Sequence, residues 1–240
     1  MIEMPLAERP RDPIRGSADH EIKFAVPALA AGSLRTWIGS VCRPDAVHPP
    51  GRVTTVYFDT PSLTFLSEKI DSDYLKTKVR VRWYGPSDSR ASTVFAEVKH
   101  RVGNRRDKVR VMLVATAAEL ARWPLWDSRW ATLLAGLRVE APPLPSQLVP
   151  VLTLTYTRHR FDDPAPGARV TIDSDIRATG VNVAMVQGHA PVALDDVVFE
   201  YKGGSFDLPE HLSPIVRFGA RRTAFSKYLA CYQAVTRLML

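Results

Sequence analysis

The sequence predicts an α+β fold in which about eight antiparallel strands close into a barrel, with a cationic tunnel inside and helices on the flanks. Three observations lead to this fold class. Eight segments alternate polar and apolar residues with the period of a strand. Most of the connections between them are short, which favours antiparallel pairing. Several polar faces are charged, and closure of the barrel with its apolar faces outward under helices would turn those charges inward.

The elements follow from hydrophobic spacing along the chain. Apolar residues at every second position predict strands at residues 20–27, 52–60, 74–85, 93–101, 105–113, 149–161, 168–176 and 196–203. Helical spacing predicts helices at 28–40, at 116–137 with a break at Pro124, and at 223–240. The C-terminal helix includes Lys227 and Arg237, so we expect it to pack against the sheet rather than to anchor the chain in a membrane. Residues 1–18 are expected to be a flexible lead-in, and 19–240 a single domain.

Composition excludes several classes of protein. The chain has 240 residues, of which 45% are hydrophobic and 24% charged, which excludes a disordered protein. Two cysteines, Cys42 and Cys231, are too few for a disulfide framework and are predicted to be core thiols. The six histidines show no metal-ligand spacing. Neither a signal peptide nor a window of about 18 uncharged apolar residues is found, so a cytoplasmic location is expected.

The net charge of +7 is concentrated in one part of the chain. Residues 76–110 contain eleven Lys and Arg side chains against three acidic ones. Four of these cations share one face of a predicted strand: Lys76, Lys78, Arg80 and Arg82. Like charges at successive positions of one face repel each other and are tolerated mainly when an anion lies among them. The pattern therefore predicts a ligand with several negative charges.

Acidic side chains accompany these cations. Glu21, Glu97 and Glu200 each share a strand face with a lysine. Phosphate groups suit such surroundings, because each offers several oxygens to Arg and Lys. The three carboxylates are candidates for a hard divalent cation shared with phosphate oxygens. A local ion pair with a neighbouring Lys or Arg is an equally open interpretation of each.

Eight motifs occur in a fixed order along residues 20–230: EIKF (21–24), VYFDT (56–60), VRVRWYG (79–85), FAEVKHR (95–101), YTRHRF (156–161), RVTID (169–173), FEYKG (199–203) and FSKY (225–228). Each is weak alone, but their order is specific. Together they resemble the VTC domain, the polyphosphate-polymerase branch of the triphosphate tunnel metalloenzyme (CYTH-like) superfamily. The resemblance implies a barrel whose lumen binds a nucleoside triphosphate and polyphosphate or pyrophosphate with a divalent metal, Mn²⁺ or Mg²⁺.

The resemblance also implies roles for individual residues. The expected catalytic cations are Arg80, Arg82, Lys99, Arg158 and Lys227. The expected phosphate or nucleotide ligands are Lys23, Lys108, Tyr156, Arg169, Lys202 and Arg222. Glu200 is expected to hold the metal, with Glu21 as a second ligand. The FSKY motif departs from the family pattern, because Ala224 stands where a further lysine is common. Arg221 or Arg222 is the candidate substitute.

The leading hypothesis is phosphoryl transfer from a nucleoside triphosphate, with ATP as the expected donor, to phosphate or a growing polyphosphate chain. One alternative is a triphosphatase or polyphosphatase that uses the same tunnel. The other is a polyanion-binding module without catalysis. Nucleic acid is a disfavoured partner, because alternation places Trp83 with the valines, away from the basic face. The sequence does not identify protein partners, which stay unknown.

Overall fold

The computed structural model describes residues 20–86, 93–103, 105–135, 137 and 143–237; the predicted lead-in lies outside them. Within these ranges there are eleven strands: β1 (His20–Pro27), β2 (Arg43–Pro44), β3 (Gly51–Asp59), β4 (Leu75–Tyr84), β5 (Val94–Val102), β6 (Arg105–Leu113), β7 (Val149–Asp162), β8 (Arg169–Val181), β9 (Val192–Ala193), β10 (Asp196–Gly203) and β11 (Arg221–Arg222). The α-helices in the same ranges are α1 (Ala31–Val41), α2 (Thr64–Ile70), α3 (Ala117–Leu120), α4 (Arg129–Ala135) and α5 (Lys227–Thr236). Two 3₁₀ segments are Ala28–Ala30 and Glu210–Phe218.

The strand predictions are confirmed at the level of the individual elements. β1, β6 and β10 have the predicted bounds, and β8 continues beyond its predicted end to Val181. The helix predicted at 116–137 forms as two short helices, α3 and α4, on either side of Pro124. Proline cannot donate a backbone hydrogen bond and clashes with the preceding turn, so the helix does not continue through it.

The prediction of a closed barrel is wrong, because the strands form one open antiparallel sheet. The strand order is β11-β1-β10-β8-β7-β3-β4-β5-β6, while β2 pairs with β7 and β9 with β8. Within the described residues, no ladder joins β6 to β1 or β11. β1 pairs with β10 on one side and with β11 on the other, so closure would need β6 to pair beside a strand of only two residues. Residue alternation fixes which side chains share a face, but it does not fix whether the two edges of a sheet meet.

The open sheet is nevertheless strongly curved. Lys99 on β5 lies 3.5 Å from Glu21 on β1, Nζ to Oε2, although β10, β8, β7, β3 and β4 lie between these strands along the sheet. The face that carries both side chains is therefore concave. We call the charged part of this concave face the cleft.

Three apolar clusters hold the curved sheet. On the convex face, residues of β1, β8 and β10 pack against α1 and the 3₁₀ segment Glu210–Phe218. Also on the convex face, residues of β3, β4 and β5 pack against α3 and α4. The third cluster lies on the concave face, where α5 covers Leu152, Leu154 and Val198. Helix α5 thus fills one end of the concave face and leaves the charged part open. No helix in the described part of the chain has the length and apolar character needed to cross a membrane.

Candidate active site

Glu97 is the centre of the first of three charged groups in the cleft. Its Oε2 accepts hydrogen bonds from Arg80, at 2.7 Å from Nε and 2.6 Å from Nη2. Arg110 Nε lies 3.3 Å and Lys108 Nζ 3.6 Å from Oε1, and Arg82 Nη1 lies 3.8 Å from Oε2. Burial opposes ionisation of Glu97, but the charges of Arg80, Arg82 and Lys108 outweigh it and hold its pKa far below the ordinary value. Glu97 is therefore a permanent anion that orders four cations.

Asp173 on β8 organises the second group. Its side chain is fully buried, and Arg158 on β7 binds both carboxylate oxygens, Nε to Oδ1 and Nη2 to Oδ2, each at 2.6 Å. Lys227, the first residue of α5, places its Nζ 2.6 Å from Oδ2. Burial would raise the pKa of Asp173, but the charges of Arg158 and Lys227 lower it strongly. This contact fixes the start of α5 to the cleft.

Glu21 on β1 and Glu200 on β10 form the third group with three lysines. Lys23 Nζ lies 2.6 Å from Glu21 Oε1 and 3.5 Å from Glu200 Oε2. Lys202 Nζ lies 3.0 Å from Glu200 Oε1 and 3.6 Å from Glu21 Oε2, and Lys99 also contacts Glu21. Burial and the Glu200 carboxylate raise the pKa of Glu21, but Lys23, Lys99 and Lys202 lower it to about 2. Two carboxylates are thus held close together by shared lysines.

Tyr156 lies between the first and second groups in the cleft. Three cations surround its ring: Lys227 Nζ lies 5.1 Å from the ring centroid, and the guanidinium carbons of Arg158 and Arg82 lie 5.4 and 6.0 Å from it. The phenol oxygen is buried and has no hydrogen-bond partner among the described residues. A buried hydroxyl without a partner is rare in native proteins and is accounted for when a ligand or water completes the site.

A cavity of about 230 Å³ opens from the third group towards the ends of β4, β5 and β6. Its lining includes seven cations and one carboxylate: Lys23, Lys69, Lys76, Lys78, Lys99, Arg101, Arg106 and Glu21. Burial and the charges of Lys23 and Lys99 lower the pKa of Lys78 to about 7. No acidic side chain among the described residues contacts Lys78. Positive charge therefore exceeds negative charge at this end of the cleft, and we call this cavity the basic cavity. A larger cavity, of about 480 Å³, lies beside α3 and α4 on the convex side, away from these groups.

The sequence matches the VTC domain over residues 18–236. The chain belongs to the VTC domain family. The family resemblance inferred from the ordered motifs is thereby confirmed. Among proteins of curated function, none matches this VTC domain in sequence.

Solved structures similar to the VTC domain are distant in sequence. One is a protein from Hippeastrum described as an adenylyl cyclase candidate with a dominant triphosphatase activity. It is 14% identical, covers 89% of this chain and 94% of its own, and superposes with a TM-score of 0.51, which shows a shared fold. Adenylate cyclase candidates from Vibrio parahaemolyticus (12% identical, 90% of this chain and 99% of its own, TM-score 0.49) and Bacillus halodurans (16%, 78% and 81%, TM-score 0.45) are also similar.

Most of the residues predicted for the site come together in the cleft of the VTC domain: Lys23, Arg80, Arg82, Lys99, Lys108, Tyr156, Arg158, Lys202, Lys227, Glu21 and Glu200. Arg169 lies on the same face of β8 as Asp173, but at an exposed end, without an ion pair among the described residues. Arg222 donates from Nη2 to the carbonyl of Phe206, at 3.0 Å, and joins none of the three groups. The phosphate-binding roles of Arg169 and Arg222 stay predictions.

Several cleft residues were missed in the sequence. Asp173 shares its face with Arg169 and Thr171, so alternation already marked its direction, but not its bond to Arg158. Lys69 reaches the basic cavity from α2, and strand alternation contains no signal for a helical residue. The basic residues Arg101 and Arg106 lie on a predicted charged segment and were not assigned a role.

The donor set of the third group fits a hard divalent metal. Glu21 and Glu200 supply carboxylate oxygens, and Thr171, opposite Glu200 in the β8–β10 ladder, has a buried hydroxyl with no partner among the described residues. Lysines contact the oxygens of Glu21 and Glu200 as well, but Glu97 and Asp173 fit a metal less well, because each is paired at 2.6 Å with an arginine, which stays charged and cannot give up its proton. All three glutamates considered from the sequence form ion pairs with neighbouring cations, and the metal-binding roles of Glu21 and Glu200 stay predictions.

Proposed function

We propose that this VTC domain transfers the γ-phosphoryl group of a nucleoside triphosphate, ATP first among the candidates, to phosphate or to the end of a polyphosphate chain. Membership of the family supports a triphosphate substrate. The single observation that supports a long product is the excess of cations in the basic cavity beyond the three carboxylate-centred groups. A triphosphate would be held by the inner groups, whereas a row of lysines continuing outward suits a chain of linked phosphates.

The proposed reaction needs no side-chain nucleophile. An oxygen of the acceptor phosphate attacks the γ-phosphorus while the bond to the bridging oxygen breaks, so the chain gains one phosphate and a nucleoside diphosphate leaves. Arg80, Arg82 and Arg158 would neutralise oxygens of the transferring group, and Lys99 and Lys227 those of the neighbouring phosphates. Glu97 holds Arg80 and Arg82, Asp173 holds Arg158 and Lys227, and Glu21 contacts Lys99 before substrate arrives, so little reorganisation accompanies the reaction.

Glu200 and Glu21 would hold the divalent metal, Mn²⁺ or Mg²⁺. When bound, the metal supplies positive charge shared between phosphate oxygens. Lys23 and Lys202 bridge the two carboxylates and would pass to phosphate oxygens in the complex. The Tyr156 hydroxyl, which lacks a partner, would donate to a phosphate oxygen. A cytoplasmic location, where ATP and reduced thiols prevail, belongs to the proposal.

Hydrolysis is the competing function, because water could replace phosphate as the acceptor. The Hippeastrum protein, which shares the fold, is described as dominantly a triphosphatase. The basic cavity favours transfer, since it adds five cations to those of the three groups, more than a short triphosphate needs: Lys69, Lys76, Lys78, Arg101 and Arg106. A non-catalytic polyanion-binding module would bind phosphate chains but release no nucleoside diphosphate.

Product analysis separates these functions. The purified chain is incubated with ATP and Mn²⁺, and ADP release and phosphate chain length are followed by chromatography and by phosphorus NMR. We expect internal-phosphate signals from a growing chain. Glu200→Gln and Lys99→Ala should lower the rate by about a hundredfold or more, as loss of one transition-state contact does. Arg129→Ala is the matched control, because Arg129 pairs with Asp127 on the convex side, away from the cleft.

Three other outcomes would contradict the proposal. Free phosphate without chains would establish hydrolysis. Binding of polyphosphate without ADP release would establish a binding module. Unchanged rates in both cleft variants would overturn the site.

Replacement of Lys76 and Lys78 by alanine should shorten the chains more than it slows ADP release, because these lysines line the basic cavity.

A further inference from the structure

A thiol, a carboxylate and an imidazole meet on the convex side of the sheet, away from the cleft. Cys42 follows α1, Asp163 follows β7, and His211 lies in the 3₁₀ segment Glu210–Phe218. One potential ligand atom from each lies within 4.8 Å of the others. Asp163 Oδ2 is 2.8 Å from His211 Nε2 and 3.7 Å from Cys42 Sγ. The proposed phosphotransfer makes no use of these three residues.

The Asp163 carboxylate is oriented by the backbone. Its Oδ1 accepts a hydrogen bond from the amide of Ala165 at 2.9 Å, so Oδ2 is the oxygen directed at Cys42 and His211. The side chain of Asp163 is fully buried, and that of His211 is 35% exposed. His211 therefore offers a route from solvent to an otherwise buried pair. Hydrogen bonds such as the one from the Ala165 amide to Asp163 orient the ligands in known metal sites.

The charge of Asp163 needs a partner in these surroundings. Cys42 belongs to the apolar cluster that includes Val170 and Phe199, and a buried carboxylate there is costly without positive charge nearby. Among the described residues, His211 is the only basic side chain that contacts Asp163. A divalent ion bound to one thiolate, one carboxylate and one neutral imidazole forms a site with no net charge, which suits burial in an apolar cluster.

We propose that Cys42, Asp163 and His211 form a binding site for a thiophilic divalent metal ion, of which Zn²⁺ is the representative. In a tetrahedral zinc site the O–N and S–O separations are about 3.3 and 3.5 Å, given metal–ligand bonds of about 2.0 Å to O and N and 2.3 Å to S. The observed O–N and S–O separations of 2.8 and 3.7 Å differ from these values by about half an ångström or less, and the separation between Sγ and the imidazole nitrogen, which lies within 4.8 Å, has to approach about 3.5 Å when the metal binds. The thiolate and imidazole select Zn²⁺ over Mg²⁺ and Ca²⁺, which prefer oxygen.

The ion would connect three segments that are distant in sequence. Cys42 and Asp163 are 121 positions apart, and Asp163 and His211 are 48 apart. The metal displaces the thiol proton, which is released to solvent, and the fourth coordination position is left to water on the exposed side of His211. The site would tie the end of α1 and the 3₁₀ segment to the end of β7 and stabilise the convex face. Its existence is independent of the reaction in the cleft.

Cobalt(II) spectroscopy on the full chain tests this site. After treatment with a chelator, the protein is titrated with Co²⁺, and we expect one equivalent to produce a thiolate-to-cobalt charge-transfer band that Zn²⁺ then abolishes. The oxygen ligands Glu21 and Glu200 cannot produce this band. Cys42→Ser should remove the band, and His211→Gln should weaken Co²⁺ binding by about a hundredfold or more, since even outer contacts contribute tens of fold.

The second cysteine provides the matched control. Cys231 is also buried and free, but it lies in the apolar cluster around α5, and no group of potential metal ligands among the described residues includes it. Cys231→Ser should keep the full band, and circular dichroism checks that each variant is folded. The proposal is overturned if the wild-type chain gives no charge-transfer band, if the band survives Cys42→Ser, or if it is lost only in Cys231→Ser. If Cys42→Ser does not fold, loss of Co²⁺ affinity in folded His211→Gln decides, and wild-type affinity in that variant overturns the site.

Discussion

Replacement of Glu97 by glutamine probes the charge balance of the cleft directly. The substitution keeps the shape of the side chain and removes its charge. In the wild type this carboxylate contacts Arg80, Arg82, Lys108 and Arg110. After the change, four cations face one another without a central anion. We therefore expect the folded protein to become less stable and the cleft to become more dependent on a bound polyanion.

The size of the loss can be worked out from the contacts. A pair of unit charges 4 Å apart interacts by about 4 kcal/mol at an effective dielectric constant of about 20. Removing one member of a buried ion pair costs about 3–5 kcal/mol, because the partner stays buried and uncompensated. The Glu97 side chain is only 4% exposed, but those of Lys108 and Arg110 are 43% and 34% exposed, so water screens them. The lower end, about 3 kcal/mol, is therefore expected.

Urea denaturation with and without tripolyphosphate measures this effect. Glu97→Gln should lower the free energy of unfolding by about 3 kcal/mol without anion, and tripolyphosphate should recover more stability in the variant than in the wild type. Asp175→Asn removes a carboxylate from an exposed pair with Arg177 and should cost about 0.5 kcal/mol or less. A loss in Glu97→Gln no larger than in this control, or equal stabilisation of wild type and variant by tripolyphosphate, would contradict a charge-balancing role for Glu97.

Three further changes test other parts of the cleft. Because the pKa of Lys78 is about 7, the affinity for long polyphosphate should fall by up to about tenfold per pH unit above pH 7. In calorimetric titrations Lys78→Arg should show a flatter dependence of affinity on pH, because arginine stays charged, and equal slopes in variant and wild type would contradict this. Because the folded pKa of Glu21 is about 2 and its ordinary value 4.5, its stabilising contribution is complete above about pH 4.5 and is lost as the pH falls towards 2. Urea unfolding should therefore show wild type and Glu21→Gln converging at the acid end, and a constant difference would count against it. Tyr156→Phe removes a hydroxyl with no partner among the described residues, so thermal unfolding should change little while ADP release slows, and a large stability loss with normal turnover would reverse that assignment.

The sequence predicted the strands and the residues on each of their faces, but not whether the two edges of the sheet pair with each other. Alternation places Lys23, Arg80 and Glu97 on one face because side chains in a strand point to opposite sides at successive positions, and the structure confirms this. Closure depends on whether β6 pairs with the strand at the other edge, and a residue pattern within each strand does not contain that information. The two-residue strand β11 was not predicted, although it occupies the decisive edge.

Individual side chains differ in the same way in how far the sequence predicts their place. Asp173 was within reach of sequence reasoning, because it lies two residues from Thr171 on the charged face. The meeting of Cys42, Asp163 and His211 was beyond it, because the three come from separate segments brought together only by packing of α1 and the 3₁₀ segment on the sheet. The spacing of His and Cys along the chain identifies metal sites whose ligands are close together in sequence, and the three residues of this cluster are not.

The most direct test of the cleft as a phosphotransfer site is the product of ATP turnover with Mn²⁺, measured by phosphorus NMR in wild type and in Glu200→Gln. We expect wild type to release ADP and accumulate internal-phosphate signals, and the variant to lose both by about a hundredfold or more. Absence of chains in wild type, or chain formation by Glu200→Gln at the wild-type rate, would contradict a phosphotransfer site in the cleft.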